Sequence, residues 1–589
     1  MNTPPSTCSS GKSTPLKKDN DRSRMQSFAL PVDPADLQLG DPLPPNDPHA
    51  ISVHLPTWND SLGWVTKDPS VLQAMKTGYP RFFIPRVVDQ LGRRLARHLG
   101  VGDDGAPMMF ASRTWAEMFR RYMGEELLAG GRVWGVRWDG GAVDSDDDET
   151  GTCLWLAVVV GEPKGAEVSK ARRFWQHTGY GISSRRAVFW LDRASFLNRG
   201  SCREGHESAN EIQQNGFHLD GDTCGGASVD QAKQDISDRI AGLLSDGDML
   251  LRKDDQPERI QGLHWGAEIA RSPTWLFLGK FRCNPSTYPR CCGRLTCDRF
   301  LYVDTIKVLE RVHNCQVTVY GYSYADTERF ERRLHNGEQF HAVFTEFTGN
   351  PLLQSPHLER LAFLRKSFSF VLVVDDTVGT AACLRVLRYC DVVCTSLTKM
   401  FSGKCNVMGG SLGLNPHSTL YTSLREGLHN RQQRQKDVWY WEDVLVMAEN
   451  CQSFEERIQV ASENALAVVE LVQESLVVKK VYYPSLGDTR RYDAYKRPGA
   501  GYGFLLSVTF KKKEEAVAFY NGLNVAKGPS LGTNFTLCCA YTLLAHYNEL
   551  DRAAEFGVEE CLVRISVGVE EKGWLLGRVK GALEAASLV

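Results

Sequence analysis

The chain reads as a doubly wound α/β domain with a mostly parallel sheet, followed by a smaller α+β domain. Three observations carry that reading. From about residue 300, uniformly apolar runs of strand length alternate with amphipathic runs of helix length, the pattern of a parallel sheet covered on both faces. The 589-residue chain exceeds the size at which one core stops growing, so more than one domain is expected. After about residue 450 a long helical segment precedes alternating strands, the order of a separate α+β unit.

The elements follow in order. The helix-like segment DTIKVLERVHN (304–314) precedes the strand QVTVYGY (316–322). Helix ADTERFERRLHNG (325–337) leads to strand HAVFTEF (341–347), and helix SPHLERLAFLRKS (355–367) to strand FSFVLVVDD (368–376). A short helix around AACLRVLRY (381–389) then leads to strand DVVCTS (391–396). The small domain opens with helix 454–476, continues with strand YGFLLSVTF (502–510), and closes with strand CLVRISVGVE (561–570) and helix 571–586. Upstream, the strand-like segments VWGVRW (133–138) and CLWLAVVV (153–160) flank an acidic loop, DSDDDE (144–149), read as a solvated face. The polar, Gly-rich stretch 201–228 reads as a long loop. The resulting division is a disordered tail over 1–48, an N-terminal extension over 49–230, the large domain over 231–460 and the small domain over 461–589.

Composition excludes several classes. A net charge of −2 gives no footprint for nucleic acid or an anionic membrane. No apolar run reaches the roughly 18 residues of a membrane span. The N-terminus lacks the apolar core of a secretory signal, so a cytoplasmic location is expected. Seventeen cysteines in a large chain then read as reduced thiols. Cys283, Cys291, Cys292 and Cys297 do not have zinc-site spacing, and no metal is expected.

The chemistry sits where two strands end. One runs into Asp375-Asp376-Thr377, the next into Ser396-Leu397-Thr398-Lys399 and a loop closing on Met-Gly-Gly. In an open α/β sheet, ligands bind at the carboxyl ends of the strands. An acid and a lysine on neighbouring strand ends can flank one ligand, and two hydroxyls before the lysine can donate to a phosphate. That set suits pyridoxal 5′-phosphate (PLP): the lysine bonds the cofactor aldehyde, and the carboxylate keeps the pyridine nitrogen protonated.

The stretches TEFTGNPLL, FVLVVDDTVGT and SLTKMFSGKCNVMGGS resemble the core signature of the cystathionine γ-synthase group of PLP enzymes. That signature carries E-x-P-x-N-P, V-V-D-N-T and S-x-T-K-x-x-x-G-H followed by G-G. The wording YVDTIKVLE, HLPTW, GYPRFF and FWQHTGYGISSR is similar to the fungal branch. The resemblance implies a PLP-dependent transferase of the aspartate-aminotransferase-like type I fold, acting on small amino-acid substrates as a homodimer or homotetramer. It implies Lys399 as the cofactor lysine, Asp375 at the pyridine nitrogen, and Ser396 and Thr398 at the phosphate. Tyr302 takes the place of the ring-stacking tyrosine, which can also help deprotonate the incoming amine, and Asn350 that of the asparagine near the 3′ oxygen. Arg564 matches the arginine that grips the substrate α-carboxylate, a task suited to a bidentate guanidinium. Ser530 matches the serine beside it. A Tyr-x-Arg from a neighbouring subunit closes the phosphate site in this family; Tyr79 and Arg81 have that spacing, and Tyr180 with Arg185 form the rival pair. The sequence departs from the family at 276–298, where no S-G-M-x-A phosphate segment is present.

The implied reaction is γ-replacement, forming L-cystathionine from an acetyl or succinyl ester of L-homoserine and L-cysteine. The alternatives are a γ-lyase, γ-substitution by another nucleophile, or a non-catalytic paralogue with an impaired phosphate loop.

Overall fold

A computed structural model describes residues 30–80, 82–101, 105–137, 142–143, 153–162, 165–194, 197, 226–245, 294–298, 301–321, 324–434 and 439–589. Within these lie three sheets of four or more strands.

The large domain holds a six-stranded sheet. Its spatial order is Gly410–Leu414, Val392–Ser396, Val371–Asp375, Ala342–Glu346, Arg294–Asp298, Gln316–Tyr320. All neighbours are parallel except Gly410–Leu414 against Val392–Ser396. The strand Val371–Asp375 buries its four apolar residues and leaves only its terminal carboxylate part-exposed. Register places Asp375 between Glu346 and Cys394, so two acids stand at one sheet edge. The helices Tyr324–His335, Leu358–Phe368 and Gly226–Leu244 bury apolar positions such as Phe330, Leu361, Ile236 and Ile240 in the core that covers one face.

The small domain is a five-stranded sheet ordered Val478–Tyr482, Leu505–Phe510, Val563–Ser566, Leu537–Ala540, Ala526–Lys527, antiparallel except for the last pair. Helices Phe454–Gln473, Lys513–Gly522 and Lys572–Ala586 pack on it around Val468, Phe519 and Val579. Upstream of the large domain, a four-stranded antiparallel sheet (Ala106–Phe110, Cys153–Val159, Trp134–Arg137, Ala142–Val143) forms its own core with helices Arg86–His98, Arg113–Met123, Ala166–Thr178 and Ser184–Arg193. Ser112 and Ser183 cap two of these helices by accepting backbone N–H bonds.

Three expectations are corrected. The tail read over 1–48 is ordered in its last part. Pro42–Leu43 pairs with Ser52–Val53, and Leu37 and Leu43 are buried against Cys405, Phe535 and Leu537. Leucines scattered among Pro and Asp show no periodicity, yet burying each stabilises by about 2 kcal/mol once a partner surface exists. The helix read at 381–389 is only a 3₁₀ turn, Leu387–Tyr389. Its backbone bonds elsewhere: Arg385 N–H donates to Tyr495, and Cys383 accepts from Arg497. The loop read over 201–228 gives way at Gly226 to helix Gly226–Leu244, and 201–225 lies outside the described residues. The acidic run 144–149, Cys283, Cys291, Cys292, Arg81 and the atypical segment as far as residue 293 also lie outside them. No described helix is long and apolar enough to cross a membrane.

Candidate active site

Strand Val392–Ser396 delivers the chain into the turn that carries Lys399, whose side chain is 3% exposed. Its Nζ donates to Tyr79 Oη at 3.0 Å and to Ser530 Oγ at 3.3 Å. The same Nζ lies 4.1 Å from the centroid of the Tyr79 ring. Gly532, at φ +67°, lets the small-domain loop approach from the other side; a Cβ there would stand 2.6 Å from Met400 N and 2.9 Å from Lys399 Cβ.

Lys399, Asp375, Tyr302, Asn350, Arg564 and Tyr79 line one cavity. Glu346, Thr348, Phe82, Cys539 and Tyr541 line it as well. Asp375 accepts the Thr377 N–H at 2.9 Å. Glu346 accepts the backbone N–H of Tyr302 at 2.6 Å and of Asn350 at 3.2 Å, so one carboxylate fixes two expected site residues. Sequence reasoning passed over it; the signal was there, as Glu346 is the acid of the TEFTGNP stretch.

Arg564 stands on the central strand Val563–Ser566 and is buried. Its Nη1 donates to Asn350 Oδ1 at 3.1 Å, and its Nη2 to the carbonyls of Ser530 at 2.9 Å and Pro529 at 3.3 Å. The guanidinium lies 4.8 Å from the ring centroid of Tyr541. None of these partners carries a negative charge, which leaves a buried cation facing a cavity.

The remaining expected residues sort differently. Ser396 is buried with its Oγ unpartnered among the described residues. The Thr398 hydroxyl is committed to Gly409, donating to its carbonyl at 3.3 Å and accepting its N–H at 3.0 Å; one hydroxyl proton cannot also serve a phosphate. Tyr79 was expected at a neighbouring subunit's site, whereas here it enters the cavity of its own chain, 320 residues away in sequence from its lysine partner. Neither member of the rival pair lines that cavity. Tyr180 stacks on Trp115 with centroids 4.7 Å apart. Arg185 donates to Asp443 at 3.0 Å and to the Asn406 carbonyl at 2.7 Å.

Behind Asp375, Asp376 is fully buried and accepts from the Thr395 hydroxyl. Burial first, and the neighbouring Asp375 charge, push its carboxyl up to about 7 against the lowering effect of that hydrogen bond.

The fit to PLP rests on the orphaned Ser396 hydroxyl. A buried donor without an acceptor is costly, and it stands three residues before Lys399, as a phosphate-binding group would. An acid at the adjacent strand end, and a lysine with its Nζ in the cavity, complete a set that suits the ring and the aldehyde.

Comparison with known proteins agrees. The Cys/Met metabolism PLP-dependent enzyme family matches residues 292–584, and the fungal trans-sulfuration enzyme N-terminal domain matches 87–183. Cystathionine gamma-synthase of Neurospora crassa is 34% identical, covering 93% of this chain and 98% of that protein. A cystathionine gamma-synthase-like enzyme of Amanita muscaria is 33% identical over 93% and 97%. Cystathionine gamma-synthase of Saccharomyces cerevisiae is 32% identical over 93% and 99%. The chain belongs to the Cys/Met metabolism family of PLP-dependent enzymes, with pyridoxal 5′-phosphate as its cofactor.

Proposed function

We propose that the chain catalyses γ-replacement, in which an O-acyl-L-homoserine and L-cysteine give L-cystathionine. The observation that supports this most is the sharing of one cavity by Lys399, Asp375, Tyr302 and Arg564. When bound, the cofactor supplies an electron sink that acidifies carbon. Asp375 would hold the pyridine nitrogen protonated, Tyr302 would lie against the ring, Asn350 would face its 3′ oxygen, and Ser396 would donate to the phosphate with Thr398 beside it. Arg564 grips the substrate α-carboxylate, its guanidinium already steadied by Asn350 and the Ser530 carbonyl. Lys399 Nζ would move protons one at a time, first from Cα and then from Cβ, so that the acyloxy group leaves Cγ as a carboxylate; the cysteine thiol then bonds Cγ, its proton balancing that carboxylate, and Nζ gives protons back to Cβ and Cα. Ser530 Oγ and Tyr79 Oη keep that nitrogen oriented between transfers.

The resemblance to the fungal branch favours the acetyl ester and a homodimer or homotetramer. A γ-lyase would use the same residues, since fold does not fix the nucleophile. Product analysis with O-acetyl-L-homoserine separates them. Cystathionine formed only when cysteine is present is the expected result. Release of ammonia and a 2-oxo acid at the same rate without cysteine would make the enzyme a lyase.

A further inference from the structure

Arg457, on helix Phe454–Gln473, is fully buried, and no carboxylate pairs with it among the described residues. Its donors go to neutral acceptors. Nη1 reaches the Met400 carbonyl and Asn534 Oδ1, each at 2.8 Å; Nη2 reaches the carbonyls of Phe401 at 2.8 Å and Asn450 at 3.1 Å; Nε reaches Ser453 Oγ at 3.3 Å. Met400 and Phe401 are the two residues after Lys399. Asn534 belongs to the small-domain loop whose Ser530 hydroxyl touches Lys399 Nζ. The close fit extends to Gly403, at φ +73°, where a Cβ would stand 2.1 Å from Arg457 Nη1 and 2.0 Å from Asn534 Oδ1.

Burying an unpaired cation is an expensive way to fill a core, and its desolvation is offset only where its donors all find acceptors. What the guanidinium does that an apolar side chain cannot is to bind three chain segments at once. These are the turn leaving Lys399, the end of helix Trp441–Asn450, and the loop 530–536 of the small domain. We propose that Arg457 is a positioning residue that holds the Lys399 turn in register with the small-domain loop, so that Lys399 meets the cofactor and Ser530 in one fixed geometry. It touches neither substrate nor cofactor and acts through the backbone of Met400 and Phe401. This inference rests on Lys399 being the cofactor lysine.

The test compares full-length wild type with Arg457→Met and Arg457→Lys. Three quantities are read: cofactor dissociation constant by titration of the apoenzyme, visible circular dichroism of the bound cofactor, and urea midpoint of the apoenzyme. Arg457→Met is expected to weaken cofactor binding at least about tenfold, the size of lost charged hydrogen bonds. It should also flatten the visible dichroism; the apoenzyme midpoint falls as the Met400, Phe401 and Asn450 carbonyls lose their donor, and affinity and dichroism are read under conditions where the apoenzyme is fully folded. Arg457→Lys, keeping one donor group, is expected between the two. A Met variant with wild-type affinity and dichroism overturns the inference. If the Met variant does not fold, Arg457→Lys and Asn534→Ala are read the same way, and wild-type values in both overturn it. A wild type whose cofactor band survives Lys399→Ala would instead defeat the reading of Lys399, a separate outcome.

Discussion

Two cavities in this chain are walled by buried arginines, and the difference lies in the charge of their partners. In the Lys399 cavity, Arg564 is met by an amide oxygen and two carbonyls. In the cavity between the N-terminal sheet domain and the large domain, Arg185 is met by the Asp443 carboxylate. Both guanidiniums are about 95% buried. One is neutralised within the protein, across two domains; the other has only neutral acceptors, and under the proposed function it would take the substrate carboxylate. The sequence offered both as site residues, and only the identity of their partners separates them.

The comparison breaks first at Arg185. Arg185→Ala strands Asp443, whose carboxyl burial already pushes up, and is expected to cost about 3–5 kcal/mol of stability in urea denaturation. The double variant Arg185→Met/Asp443→Leu should recover most of that loss. The Michaelis constant for the acyl-homoserine stays unchanged. A weaker cofactor dissociation constant in the single variant would instead place Arg185 at a neighbour's phosphate.

Arg564→Lys tests the other side. A lysine cannot offer the bidentate fork, so kcat/KM for the amino-acid substrate is expected to fall about 100-fold, chiefly through KM, with little change in the urea midpoint. A fall in stability without a change in KM would assign Arg564 to the structural class of Arg185.

The smallest effect sharpens the same contrast among acids. Asp443 has a cation; Asp376 has only the Thr395 hydroxyl among the described residues. With its folded carboxyl near 7 and its unfolded one near 3.9, Asp376 keeps its proton on folding between those values. Its stability cost therefore grows as pH rises from about 4 to 7 and levels off above. Asp376→Asn removes that titration. Its gain in urea stability over wild type should be about 3 kcal/mol larger at pH 8 than at pH 5. An equal gain at both pH values would show that Asp376 is ionised throughout.

The strand ends were legible because an apolar run that stops at Asp375 or Ser396 marks a sheet edge whatever surrounds it. Arg564 was legible because an arginine inside CLVRISVGVE has no cheap place in a core. Tyr79 was not, because its contact with Lys399 spans 320 residues and nothing local distinguishes an own-chain tyrosine from a neighbour's. The Thr398 hydroxyl shows a related limit: a donor beside a lysine says nothing about which acceptor the fold brings to it, and here it is Gly409. Arg457 lies in an ordinary amphipathic helix pattern, and its three-way binding emerges only when the segments meet.

Lys527 offers the sharpest challenge to the central assignment. It is buried, donates to the carbonyls of Pro56 and Asn521 at 2.8 and 3.1 Å, and burial lowers its ammonium to about 8, which makes it the rival lysine for the cofactor aldehyde. Borohydride reduction of the cofactor-loaded protein, followed by digestion and peptide mass spectrometry, decides between them. Pyridoxyl mass on Lys399 alone is the predicted result. The same mass on Lys527, or on no lysine of the chain, would contradict it.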